Sequence, residues 1–447
     1  MNKVLVMPLL LSCLVLTGLG LSFVSLTLSA QETIQPTETT LSKQEEALVA
    51  WIDEWQHLIL EELELQVGMN TGTDNIEGLD QYRDYLQAEL DKLGFKTERH
   101  SSQPISVLSC AAAQVEIADH LVGSIEGNSK KRILLNGHMD TVFSKEDEFQ
   151  SLTIYEDGTL TGPGVADMKG GIVIMLYALR ALKIEGLLEH ANITVLLNSD
   201  EEIGSLGSRA LIEELAKEHD LGLVFEGSYE NHVTRSRKGL GQARLKVTGR
   251  ESHAGGSHEE GVSANLELAH KIIEIEKLTD YQRQVTVNTG VMTGGEKRNT
   301  VPGCADAYVD MRFPSIEEGE KLMANIKEIS STTVVRNPKY PALPAVEAWA
   351  VLHRPAKQVH PKVDELIAQA MGLSQLLGEP IIGARYSGGG TDGSIAQSVG
   401  LPTMDSLGMD GTGAHSSREA STVRSLIARA KLATIMLARQ IDYPINK

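Results

Sequence analysis

Cysteine is scarce in this sequence, with three among 447 residues, and no Cys-x-x-Cys pair occurs. A thiolate zinc site is thereby excluded, so any metal must be held by histidine and carboxylate side chains. Basic residues are in deficit: 41 Lys and Arg stand against 60 Asp and Glu, a formal net charge of −19. A surface that acidic repels nucleic-acid phosphates and anionic lipids, which argues against both as partners. It also means that an anionic substrate needs a specific basic residue to hold it. Internal repeats are missing, and no low-complexity tract occurs beyond the Gln/Thr-rich residues 31–42.

What is present is an ordinary globular balance, 41% hydrophobic and 23% charged, in a chain long enough for two or three domains. Asn2 and Lys3 precede an apolar stretch over 4–28, and Leu28-Ser29-Ala30 puts small residues before Gln31. This pattern reads as a secretory signal peptide over 1–30, which puts the main body in a periplasm or beyond. The stretch is also long enough to be a retained membrane anchor. Without the leader only Cys110 and Cys304 remain, either as one disulfide or as two buried thiols.

Amphipathic patterns over 43–67 and 78–94 read as helices. Short apolar runs at 133–136, 193–198 and 221–225 then alternate with helical patterns at 170–182 and 208–218, an α/β order with a substantial parallel sheet. From 239 the texture changes to strand, helix, strand, strand, helix (242–248, 262–278, 284–291, 304–313, 316–329), the order of a small α+β module. A proline-rich connection over 338–344 leads out of it, and 363–441 returns to the first texture. The economical reading is a module at 238–345 inserted between two parts of an α/β domain, 42–237 and 346–447.

The polar clusters stand where strand runs end, at the edge where α/β sheets bind ligands. His138-Met139-Asp140 follows the first run, and in extended backbone Asp140 faces the same way as His138, behind its imidazole. The glycine-rich stretch 162–171 lacks both phosphate-loop signatures and surrounds a single carboxylate, Asp167. Asp200-Glu201-Glu202 and Glu226 end two further runs, and His415 lies in a glycine-rich loop downstream. Two histidines and three or four carboxylates at strand exits suit a nitrogen and oxygen site for two zinc-like ions.

These residues fall in motifs that resemble the M20 family of zinc peptidases, and most closely the bacterial glutamate carboxypeptidases of the folate-cleaving type. The shared stretches are Gly137-His138-Met139-Asp140-Thr141-Val142, residues 162–171, and Asp200-Glu201-Glu202-Ile203-Gly204-Ser205. Phe225-Glu226, Ser252-His253-Ala254-Gly255, Arg298-Asn299-Thr300-Val301-Pro302, Asp310-Met311-Arg312, Gly388-Gly389-Gly390-Thr391-Asp392 and His415 follow in order.

The resemblance implies a di-zinc exopeptidase domain carrying an inserted α+β lid and dimerisation domain. Asp167 would bridge two Zn2+ ions, His138 and Glu226 completing one and Glu202 and His415 the other. Glu201 would be the general base and acid, with Asp140 behind His138. His253 resembles the histidine that reaches a dimer mate's site, and Arg312 and Asn299 the residues that hold the substrate. Three carboxylates leave two divalent ions with residual positive charge, enough to acidify a water, and Arg312 can hold a carboxylate bidentately. The expected activity is release of a C-terminal amino acid, glutamate foremost, from a small peptide or N-acyl amino acid. The alternatives are an N-acyl-amino-acid deacylase or a catalytically silent binding homologue. Two stretches depart from the glutamate-specific pattern. Residues 233–238 are unusually basic, reading as added carboxylate recognition or a solvated hinge, and residues 337–349 match poorly.

Overall fold

A computed structural model describes residues 34–102, 105–107 and 113–441. The leader and Cys110, and with them the expected signal peptide, lie outside the described residues. Cys304 is disulfide-bonded, so of the two readings offered for the cysteines the free buried thiol does not hold for it. Among the described residues no helix is long and apolar enough to cross a membrane.

The larger domain is built on a six-stranded sheet in the order Lys96–His100, His120–Glu126, Asn192–Asn198, Arg132–His138, Leu221–Val224, Thr403–Met404. The first two strands run antiparallel to their neighbours and the last four are mutually parallel. Alternation across the pleat divides the central strands between two cores. Ile133, Leu135, Val195 and Leu197 face the main core with the helices Lys169–Ile184 and Val423–Gln440, whereas Leu134 and Leu196 face a smaller one. With both faces covered, the parallel strands are apolar throughout, and their polar residues collect at the carboxyl ends.

The expected helix over 43–67 is two helices, Lys43–Glu54 and Gln56–Val67, separated at Trp55. The inserted module has a four-stranded antiparallel sheet in the order Thr286–Gly294, Cys304–Phe313, Gly239–Thr248, Ala345–Arg354. The helices Ala264–Glu276 and Ile316–Ser331 pack on one face, Leu268 and Leu322 joining Leu245, Val247, Met311 and Phe313 in one core. The strand Ala345–Arg354 begins where the sequence reading ends the module, and its pairing from Thr248↔Ala345 to Leu240↔Arg354 carries the sheet on to Arg354. The proline-rich run before it masks the strand pattern.

The basic stretch 233–238 is no solvated hinge. It lies in a strand, His232–Arg237, paired in parallel with Gly383–Ser387. Arg235 pairs with Asp364 at 2.6 Å and Arg237 with buried Asp405 at 2.6 Å.

Candidate active site

The carboxyl ends of three parallel strands deliver His138, the 199–202 loop and the residues after Val224 to one place. His138 is buried, and its Nδ1 lies 2.9 Å from the Asp140 carbonyl oxygen and 3.4 Å from its carboxylate. That carboxylate is a hub: it accepts from the backbone N–H groups of Glu201 and Glu202, both at 3.1 Å, and from Thr73 Oγ1 at 2.9 Å. Asp140 therefore orients the imidazole and fixes the turn that presents both glutamates.

Asp167 comes from the glycine-rich loop, which is held tightly. Gly164 has φ +72°, and a Cβ on Gly171 would lie 1.9 Å from the Phe225 carbonyl oxygen, next to Glu226. Asp167 Oδ1 faces His138 Nε2 at 3.2 Å and Oδ2 faces His415 Nε2 at 3.3 Å. Glu226 lies 3.6 Å from the same His138 nitrogen, and Glu202 lies 3.2 Å from that of His415. Candidate ligand atoms of His138, Asp167 and Glu202, and of His138, Glu201 and Glu226, each group within 4.8 Å of one another.

The charges in this cluster are unbalanced. Burial, then the Asp167 charge, pushes the Glu226 carboxyl well above its usual pKa and raises that of Glu202. Burial raises Glu201 to about 8, against the opposing charge of Arg354. Burial alone would raise Asp167 as well, but hydrogen bonds to His138 and His415 outweigh it and hold the group low. His415 is pushed up to about 11 by Asp167 and then Glu202. Carboxylates this close compete for positive charge, which among the described residues comes from the His138 and His415 imidazoles and, at Glu201, from Arg354. The oxygen and nitrogen donor set suits divalent cations of the zinc type.

Three supports were not found from the sequence. Buried Glu419 accepts from the backbone N–H groups of Gly164 (3.1 Å), Ala166 (2.8 Å) and Asp167 (3.0 Å), anchoring the loop that carries Asp167. Arg354, at the end of the module's edge strand, pairs with Glu201 Oε1 at 2.6 Å and also bonds its carbonyl oxygen. Lys169 is buried and donates to the Gln66 carbonyl at 3.1 Å and to that of Met69, and burial lowers its pKa to about 7. Glu419 stands in a polar run and Arg354 just past an apolar one, and no local pattern marks either.

A cavity of about 790 Å³ opens over the cluster, lined by Asp167, Glu201, Glu202, Glu226 and His415 on one side and by module residues including Arg312 on the other. The Arg312 guanidinium is engaged with Asp310 at 2.8 and 3.1 Å. His253 and Asn299 are exposed and do not line this cavity. They are brought together elsewhere on the module, where Ala254 N donates to the Asn299 carbonyl and His253 pairs with Thr300. His253 Nδ1 accepts from Gly255 N and Gly256 N, which leaves Nε2 to carry the proton.

Carboxylates and imidazoles packed this closely suit a divalent-cation centre, and together with the family match they define a metal-dependent hydrolase of peptide or amide bonds. Residues 134–439 match peptidase family M20/M25/M40, and the chain belongs to that family. Over 367 residues it is 31% identical to carboxypeptidase G2 of Pseudomonas sp. (strain RS-16), covering 81% of this chain and 84% of that protein. It is 28% identical over 305 residues to acetylornithine deacetylase of Myxococcus xanthus, 65% of this chain and 76% of that one. An M20 family metallo-carboxypeptidase from Sulfolobus solfataricus shares the fold, with a TM-score of 0.66 at 16% identity over 86% of this chain and 99% of that one.

Proposed function

We propose that this protein is a zinc-dependent exopeptidase that hydrolyses a peptide or N-acyl amide bond next to a free carboxylate. It releases a C-terminal amino acid, with glutamate the expected residue. The observation that carries the reading is the position of Asp167, which turns one carboxylate oxygen to His138 and the other to His415, with Glu226 and Glu202 beside them. Asp167 would be shared by two zinc ions, His138 and Glu226 holding one and Glu202 and His415 the other. Held by these residues, zinc would supply a Lewis acid for the scissile carbonyl and for a water at neutral pH.

The chain's own residues supply the rest. Glu201, buried and held at Oε1 by Arg354, takes a proton from the attacking water and passes it to the departing nitrogen. The water oxygen bonds to the carbonyl carbon, the carbon–nitrogen bond breaks, and a carboxylate and an amine leave. Similarity to carboxypeptidase G2 supports a carboxypeptidase, and that to an acetylornithine deacetylase keeps N-acyl amino acid deacylation as the second reading. His253 and Asn299 lie outside the cavity of their own chain, in keeping with a homodimer in which the module offers them to a partner's site. Export after cleavage of the leader completes the reading, and N-terminal sequencing of the exported protein should begin near Gln31.

Glu201→Gln and Glu202→Gln test the role assignment. Glu201→Gln is expected to abolish turnover while zinc content stays at two ions, and Glu202→Gln to lose zinc. Loss of zinc from Glu201→Gln, with Glu202→Gln retaining it, would exchange the two roles.

A further inference from the structure

Five arginines line the cavity of a chain whose net charge is −19. Three are committed within the fold: Arg237 to Asp405 at 2.6 Å, Arg312 to Asp310 at 2.8 Å and Arg354 to Glu201 at 2.6 Å. Arg244 and Arg385 make no ion pair among the described residues, and the Nε of each is buried without a hydrogen-bond partner. Each lies over a tyrosine that also lines the cavity: Arg244 is 4.4 Å from the Tyr308 ring centre and Arg385 is 4.9 Å from that of Tyr229.

The two come from different parts of the fold. Arg244 and Tyr308 are cross-strand partners in the module sheet, and alternation puts them opposite Ala243, Leu245 and Val309, which are buried in the module core. Arg385 lies on the strand Gly383–Ser387 of the larger domain, where it pairs with Thr234 while Arg237 pairs with Ser387. Burial and then the Arg237 charge lower its pKa from the usual arginine value, so positive charge is crowded there. Asp410, the nearest opposing carboxylate by its effect, is already engaged by Ser228 Oγ at 2.8 Å and Asn231 N at 2.7 Å.

A guanidinium stacked on a ring keeps its in-plane donors for a planar oxyanion. Buried donors without partners are rare in native proteins, because leaving them unpaired is unfavourable, and a recurrent explanation is a ligand. We infer that Arg244 and Arg385 form an anion-binding subsite that takes a substrate carboxylate additional to the one beside the scissile bond. The inference rests on the hydrolase reading above and narrows its substrates to compounds with at least two carboxylates. The second carboxylate belongs either to the side chain of the departing amino acid or to the far end of the acyl group.

Two matched pairs of substrates separate these sources. N-benzoyl-glutamate against N-benzoyl-glutamine varies charge on the departing residue, and N-succinyl-alanine against N-butyryl-alanine varies it on the acyl group. The zinc-loaded full chain is expected to favour the charged member of one pair by about tenfold or more in kcat/KM, a preference of the size one charged hydrogen bond supplies. Arg244→Gln and Arg385→Gln should each lower that ratio by about tenfold, and Arg385→Lys should retain part of it. A wild-type chain indifferent to the charge, or a preference that survives both substitutions, would overturn the subsite. If no pair is hydrolysed, the hydrolase reading fails and calorimetric binding of glutarate decides the subsite separately. Binding about tenfold weaker in the doubly substituted chain supports it, and equal binding or none overturns it. Unfolding midpoints identify a glutamine variant that does not fold, in which case Arg244→Lys and Arg385→Lys carry the comparison.

Discussion

Buried histidine outside the metal cluster gives the site a measurable acid sensitivity. His120 Nδ1 accepts from Ser199 N at 3.2 Å, just before the acidic run, and its Nε2 lies 2.6 Å from Ser102 Oγ. Burial lowers its pKa from 6.5 to about 4. The folded chain therefore resists a proton that the unfolded chain accepts. The associated stability is fully present above pH 6.5 and is lost as pH falls toward 4, amounting to about 3 kcal/mol. Chemical denaturation of the metal-free protein across that window should fall more steeply for the wild type than for His120→Gln; parallel curves would contradict this. Residue identity at the site was legible where chemistry concentrates in short motifs, as at His138, Asp167 and Glu202. It was illegible where a partner is distant. Glu419 meets Gly164 across 255 positions, and Arg354 meets Glu201 across 153, and neither has a local pattern to mark it. Arg312, expected from the resemblance to hold the substrate, does line the cavity, but its bond to Asp310 depends on the pleat of one strand and could not be told from spacing alone.

At the scale of elements, the helix Lys169–Ile184 ties the Asp167 loop to the strand that ends beside Glu226. Its first turn passes so close to the Phe225 carbonyl that only glycine fits at 171. Gly171→Ala should push the helix off that strand and lower stability by at least ~2 kcal/mol, as overpacking of a dense interior does. Thermal and chemical unfolding would check it, and an unchanged midpoint would show that the close approach is not needed. Most elements could be read from periodicity, because parallel strands covered on both faces are unbroken apolar runs and helices keep their 3.6-residue stripe. Two readings failed for physical reasons. Residues 43–67 keep one amphipathic pattern through Trp55 although the backbone leaves the helix there. The strand Ala345–Arg354 is exposed along much of its length, so burial imposes little alternation on it.

Across the whole molecule, the site is assembled from both parts of the larger domain and from the inserted module, and Arg354 links the module's edge strand directly to Glu201. The exposed position of His253 carries a prediction at this scale. His253→Ala and His138→Ala chains, each inactive alone, should recover activity when mixed if the module of one chain serves the site of another. No recovery from a mixture shown to exchange subunits would confine the site to one chain. The central claim is that the cluster around Asp167 is a two-metal hydrolytic centre. Its most direct test is hydrolysis of N-acyl amino acids and dipeptides by the zinc-loaded protein beside a chelated control, with bound zinc measured in both. The prediction is release of a C-terminal amino acid at two zinc ions per chain, abolished when chelation removes them. Hydrolysis that persists after the metal is gone, or none with both ions bound, would contradict it.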